Sequence, residues 1–166
     1  MGQIGGAAAQ FSSAWNFIAE RSIYWGASAW VEGTNVIGSP YVAGDWHVPE
    51  GTEGGDFDSF LLIFNPGDFA VTADLIVYVE DLGRFTAPVH LRPVIPAKTR
   101  KTINMYTFLT QMEQAGGLAP GTLANTSFST RVRSLSDGIV VEHALYRTLD
   151  GANRWRSGSA SFGVPR

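Results

Sequence analysis

Residues 60–79 read Phe60-Leu61-Leu62-Ile63-Phe64-Asn65-Pro66-Gly67-Asp68-Phe69-Ala70-Val71-Thr72-Ala73-Asp74-Leu75-Ile76-Val77-Tyr78-Val79. Val71, Ala73, Leu75, Val77 and Val79 recur at every second position, with Thr72, Asp74 and Tyr78 among the residues between them. A period of two puts the apolar set on one side, as a half-buried strand requires. Phe60 to Phe64 is apolar on both sides, which suits a central strand covered on each face. Pro66 presets φ and Gly67 tolerates positive φ, so residues 65–68 predict a turn and the two runs predict a β-hairpin.

The same rhythm continues outward. Glu80-Asp81-Leu82-Gly83 reads as a turn, and Phe85, Ala87, Val89 and Leu91 alternate with Thr86, Pro88, His90 and Arg92. Pro88 has no N–H to give a ladder, so that strand is expected at an edge. A strand is expected over Thr99–Met105. Phe108, Leu109 and Met112 then fall at helical spacing and Gly116-Gly117 follow, predicting one short helix over 106–115 in a crossover loop. Strands resume over about 125–133, with Phe128, Thr130 and Val132 inward, then over Ile139–Arg147 and about 158–164. Turn spacing of this kind predicts an all-β, antiparallel, immunoglobulin-like β-sandwich with roughly seven strands.

Composition agrees. Hydrophobic residues make up 45% of the 166 and charged residues 16%, a globular balance. The 19 glycines and 8 prolines supply many turns. With Lys+Arg 12 against Asp+Glu 15 the net charge is −3, which argues against a nucleic-acid partner. The absence of cysteine excludes disulfides, thiolate catalysis and Cys-based zinc sites. No apolar run approaches the ~20 residues that span a bilayer as a helix, so membrane insertion is not expected. The opening Met1 to Trp15 lacks a basic stretch followed by a compact apolar one, so a signal peptide is not expected either.

Two distant segments match each other. Ala19-Glu20-Arg21-Ser22-Ile23-Tyr24-Trp25 lines up with Val141-Glu142-His143-Ala144-Leu145-Tyr146-Arg147, both reading apolar-Glu-x-small-apolar-Tyr. In the same order, Gly33-Thr34-Asn35-Val36-Ile37-Gly38-Ser39-Pro40 lines up with Gly158-Ser159-Ala160-Ser161-Phe162-Gly163-Val164-Pro165. Two matches in one order, separated by loops of nearly equal length, read as an internal repeat. Residues 16–40 therefore look like the closing strand pair of a preceding repeat. The division expected is 1–44 as an N-terminal extension with donated or swapped strands, and 45–166 as the β-sandwich domain. This is how a piece of a tandem array in a longer secreted protein would read.

Trp46-His47-Val48-Pro49-Glu50-Gly51-Thr52, then Phe57 to Phe64, then Asn65-Pro66-Gly67, resembles a repeat of large secreted or surface bacterial proteins. That repeat runs roughly W-x-F-A-E-G-x-T, an aliphatic strand, N-P, an A-x-V-x-V strand (here Ala70 to Val77), a turn leading to Arg (here Pro96 to Arg100), and a closing A-E-R-x-M-Y-W strand. Ala19 to Trp25 matches the closing strand closely and Val141 to Arg147 loosely. His47 and Pro49 depart from the pattern, and the 106–122 insertion is long. The resemblance implies a β-sandwich module in extracellular or cell-surface architecture, without chemistry of its own.

Each candidate site has a plainer alternative. The loop 50–58 gathers Glu50, Glu53, Asp56 and Asp58 among glycines, a set of oxygens that suits Ca2+, but it lacks the D-x-D-x-D-G order and reads first as a solvated loop. Glu20 and Glu142 sit mid-strand in apolar runs and need partners. Arg100, Arg131 or Arg133 would supply one, giving a structural polar network of Glu20, Glu142, Tyr24, Tyr146 and Arg100. Trp25, Trp30, Trp46 and Trp155 would make a sugar-stacking platform or close the ends of the core. His47, His90 and His143 lack zinc-site spacing, and G-x-S-x-G, P-loop and dinucleotide fingerprints are absent. Phe17, Ala19, Ile23 and Trp25 would form an assembly strand, since an apolar strand pair without a parent sheet must find cover. The function expected is a non-catalytic structural module, self-associating or joined to neighbouring repeats through β-strand addition as a filament or adhesin subunit. A carbohydrate-binding module that takes glycans is the alternative.

Overall fold

A computed structural model describes residues 7–25, 32–148 and 155–166, apart from the side chains of residues 25, 32, 155 and 156. The fold is an antiparallel β-sandwich with one short helix and an N-terminal strand pair. That pair is β1 (Glu20–Trp25) and β2 (Glu32–Ile37), a two-stranded sheet of its own. The first sandwich sheet has the order β11-β10-β4-β8, from Trp155–Phe162, Val140–Thr148, Phe57–Asn65 and Thr99–Asn104. The second has the order β12-β3-β9-β5-β6, from Val164–Pro165, Asp45–Thr52, Ser127–Ser134, Val71–Val79 and Gly83–Thr86. The short β7 (Val94–Ile95) pairs with β5 beside that path.

The core lies between the sheets. Leu61, Ile63, Ile103 and Val141 from the first face Trp46, Val48, Leu75, Val77, Phe128 and Val132 from the second. Phe128, Thr130 and Val132 are buried, as their alternation predicts. The helix α1 (Met105–Gly116) brings Met105, Phe108, Leu109 and Met112 into the same core. Asn104 caps its start by accepting from the Thr107 N–H at 2.9 Å, and Gly117 ends it at φ 65°, a conformation that suits glycine.

Three expectations need correction. β4 and β5 do not form a hairpin, because they lie in opposite sheets. The cause is Asn65, which is fully buried. Its Nδ2 donates to the carbonyls of Phe69, Ile95 and Pro96 at 2.8, 3.0 and 3.2 Å, while its Oδ1 accepts from the Gly67 N–H at 2.9 Å. These bonds anchor the chain where it steps between layers instead of folding back alongside itself. Second, the strand expected over 85–91 is shorter. β6 ends at Thr86, Ala87 is buried, and Val89–Leu91 form a 3-10 turn after Pro88, although β6 is an edge as expected. Third, the domain has more strands than seven, because short edge pieces such as β7 and β12 carry little alternation.

Candidate functional site

The two segments that match in sequence form hairpins of the same register. β1 pairs β2 with Glu20 opposite Ile37 and Tyr24 opposite Gly33, and β10 pairs β11 with Glu142 opposite Phe162 and Tyr146 opposite Gly158. The Gly38 N–H donates to Ala19 O at 2.7 Å, and the Gly163 N–H to Val141 O at 2.9 Å. Both cross-strand glycines are required by the ring beside them. A Cβ on Gly33 would stand 2.8 Å from Tyr24 Cδ1, and one on Gly158 would stand 2.7 Å from Tyr146 Cδ1.

The outward face of the first sheet is where the two copies meet. Alternation sends Val141 into the core, while Glu142, Ala144 and Tyr146 stand outward beside Phe60, Leu62 and Phe64 of β4 and Ala160 and Phe162 of β11. The Phe60 and Tyr146 rings meet edge to face, with centroids 5.9 Å apart. Such an apolar outer face needs cover, and the strand pair provides it. Arg21 of β1 forms an ion pair with Glu142, β2 lies against β11, and Arg100 Nη1 of β8 donates to Ala7 O at 3.2 Å. Glu142 and Ala144 are left 6% and 3% exposed. Burial lowers the pKa of Arg100 against the pull of Glu142, and raises that of the Tyr146 phenol against the opposing field of Arg21.

The structural polar network is thus partly assembled. Glu142, Tyr146 and Arg100 come together, but the direct partner of Glu142 is Arg21. Arg131 and Arg133 are on the other sheet, bound to Asp45 and Asp74. Glu20 is exposed on the side of β1 away from Arg21, so it does not join. Of the assembly residues, Ile23 shares the Arg21 side, Ala19 accepts from Gly38, Phe17 precedes β1 and is 52% exposed, and Trp25 ends the strand.

Two candidate sites are corrected. Trp46 cannot stack a sugar, because it is fully buried and its indole N–H donates to Ala43 O at 3.0 Å and Ile139 O at 2.9 Å. Trp30 and the side chains of Trp25 and Trp155 lie outside the described residues. The carboxylates of Glu50, Glu53, Asp56 and Asp58 do not converge on a cation, and no metal-holding group of three or more appears among the described residues. Glu53 turns inward instead, 3% exposed, and accepts from the Ser59 N–H at 2.8 Å and from the Tyr106 N–H in the first turn of α1.

That inward turn builds a cluster that the sequence did not announce. Ser59 Oγ donates to Thr52 O at 2.8 Å, accepts from the Thr52 N–H at 3.1 Å, and lies 3.4 Å from His143 Nε2. Burial raises the Glu53 pKa to about 7 and lowers the His143 pKa to about 4. Ser59 is fully buried and already bonded to the backbone, so the trio is sealed within the sandwich. A second buried carboxylate, Glu113 of α1, accepts from the N–H groups of Gly121, Leu123 and Ala124 at 3.1, 2.5 and 2.8 Å. Burial pushes its pKa up, but the three donors outweigh burial and hold it below the usual carboxylate value. It pins the long 106–122 insertion.

The outward face of the second sheet closes itself. Asp74, 3% exposed, lies between Arg92 and Arg133, each 2.7 Å away, and Asp45 takes a two-pronged bond from Arg131 that lowers its pKa. Ile76 stands in the same outward row, opposite Arg131 and Thr86, and is only 2% exposed.

No protein-family model and no curated protein matches the chain. Among solved structures it is similar to the crystal structure of Thermotoga maritima 1070, with a TM-score of 0.57 at 15% identity, covering 75% of this chain and 96% of that one. It also aligns with the Anabaena sensory rhodopsin transducer, with a TM-score of 0.47 at 20% identity, covering 69% of this chain and 91% of that one. The first likeness supports the β-sandwich fold.

Proposed function

We propose that this chain is a non-catalytic structural module of an extracellular or cell-surface bacterial assembly, with residues 1–44 as its associating element. The observation that carries this reading is the doubled hairpin. One copy is woven into a sheet, and the other lies on the outward face of that sheet as a separate ribbon. A two-stranded ribbon is marginal by itself, so its stability rests on whatever it covers. The same seat would accept the ribbon of its own chain or that of a neighbour. Phe11, Trp15 and Ile18, just before β1, remain 65%, 84% and 84% exposed, an apolar surface that favours association. Proline and glycine in the 38–44 connection suit a hinge between the two placements.

Deleting residues 1–40 tests the reading. The shortened chain should lose stability as the Glu142 face meets water, and its oligomeric state in solution should differ from that of the full chain. Unchanged stability and oligomeric state would remove the ribbon from any assembling role. Specific binding on a glycan array would instead make the module a carbohydrate binder.

A further inference from the structure

We infer that the outward face of the second sheet docks an extended segment of a protein partner, with a carboxylate seated between Arg92 and Arg133 and an apolar side chain two residues away on Val94 and Leu135. The ribbon lies on the other sheet, so this inference goes beyond its assembling role and does not rest on it.

This face is closed over Ile76, but two arginines of β9 are not alike. Arg131 makes a two-pronged bond to Asp45, and its side chain is 23% exposed. Arg133 is on the same side of the strand, opposite Asp74. It directs only Nη2 at that carboxylate, and its side chain is 49% exposed. Arg92, which ends the 3-10 turn after Pro88, directs Nε at the other oxygen of Asp74. One guanidinium suffices to pair a carboxylate, as Asp45 shows. Asp74 holds two, which leaves one positive charge in excess. A guanidinium carries five N–H donors in a rigid fork. Those that Arg92 and Arg133 do not aim at Asp74 have no partner among the described residues. Asp74 is 3% exposed, so it serves as the post that holds both forks. Two forks on one post suit an oxyanion that accepts from each. In the outward rows of β9, β5 and β6, Arg131, Arg133 and Arg84 stand against the single carboxylate of Asp74. The face is thus cationic on a chain whose net charge is −3.

The neighbouring row sets the class of partner. Thr72 precedes Asp74 by two residues on the same side of β5. Val94 of β7 is opposite Thr72, and the Leu135 N–H donates to Thr72 O at 2.9 Å. Val94 and Leu135 are 49% and 47% exposed, an aliphatic strip beside the cations. Residues two apart on a strand are separated by about 6.8 Å, and an extended peptide spaces its own same-side side chains by the same step. A segment of the pattern acid-x-apolar therefore matches both rows, with its Glu or Asp on the arginines and its apolar side chain on the strip. An inorganic oxyanion or a sugar acid would leave the strip uncovered.

The test is an NMR titration of the full, isotope-labelled chain with the capped pentapeptide Gly-Glu-Ser-Leu-Gly. Saturable shifts are expected at the backbone amides of Thr72, Asp74, Arg133 and Leu135. Arg133→Ala leaves Asp74 its ion pair with Arg92 and should weaken binding at least about fivefold. Leu135→Ser, at an exposed position, should weaken it at least about threefold. Peptides with Gln in place of Glu, or Ser in place of Leu, should lose as much. The absence of saturable shifts at these amides, or binding indifferent to both substitutions, overturns the inference. Equal or tighter binding of inorganic phosphate overturns it in favour of a simple anion site. Equal or tighter binding of glucuronate overturns it in favour of a carbohydrate site.

Discussion

The two hairpins share a register, a tyrosine lying across a glycine and a closing Gly-to-apolar hydrogen bond, yet one is core and the other is cover. The difference lies in the row turned away from the glutamate. In β10 that row includes Val141 and His143, which go into the sandwich; in β1 it includes Ala19 and Arg21, and Arg21 settles on Glu142. The shared residues fix how a hairpin pairs with itself. The unshared row fixes what the hairpin is placed against.

The largest effect that sharpens this contrast is a pH dependence set by His143 of the core copy and by Glu53, which lies beside it across Ser59. His143 has a folded pKa lowered to about 4, so its contribution is full above pH 6.5 and is lost as pH falls to about 4. Glu53 has a folded pKa raised to about 7, so its contribution is full below pH 4.5 and is lost as pH rises through 7. Each is worth about 3 kcal/mol, and in the wild type they oppose each other over most of the window. Urea unfolding between pH 4 and 7 should therefore be nearly flat for the wild type. Glu53→Gln should make stability rise with pH, and His143→Gln should make it fall. A wild-type slope left unaltered by either substitution would show that this cluster does not set it.

Charge comes next. Glu142→Ala leaves Arg21 and Arg100 facing each other under cover and should cost about 2–3 kcal/mol, whereas Glu20→Ala, at the matching but exposed position, should cost less than about 0.5 kcal/mol. Equal costs in denaturant melts would break the contrast. Arg21→Ala should cost about 1 kcal/mol, because the side chain is about a third exposed and Arg100 still faces the carboxylate. The smallest global effect belongs to the ribbon glycine. Gly158→Ala pushes a methyl into the Tyr146 ring inside the sheet and should cost about 1–2 kcal/mol. Gly33→Ala should leave the global midpoint within about 0.5 kcal/mol while speeding amide hydrogen exchange in residues 20–25. Slow exchange there after the substitution would mean that the ribbon tolerates the clash.

Much of the fold was legible because alternation reports directly on half-buried strands. Val71 to Val79, Phe128 to Val132 and the helix before Gly117 are where their spacing put them. The common register of the two hairpins was legible too, since register depends on local residue types. What spacing does not report is which sheet a strand joins. The placement of β4 and β5 turns on the side-chain bonds of Asn65, and the strand ends near Pro88 turn on a 3-10 turn. Trp46 reads first as a residue closing the core and second as a ligand platform, and its indole, bonded to two carbonyls, decides for the core. The partner of Glu142 lies 121 residues away. A signal for it was nonetheless present: aligned copies carry His143 in one and Arg21 in the other, a fixed cation where the core copy keeps a neutral ring. Glu53 was grouped with its loop neighbours by sequence proximity, which says nothing about a carboxylate turning beneath the strand.

Asn65 bears on how the protein ages. An asparagine side chain commonly deamidates when the nitrogen of the following residue attacks the amide and closes a five-membered imide. Here the following residue is Pro66, whose ring nitrogen carries no hydrogen to give up. The residue that ties the two layers together at their crossing, three carbonyls to one amide, is therefore followed by the one amino acid that closes this route of chemical decay.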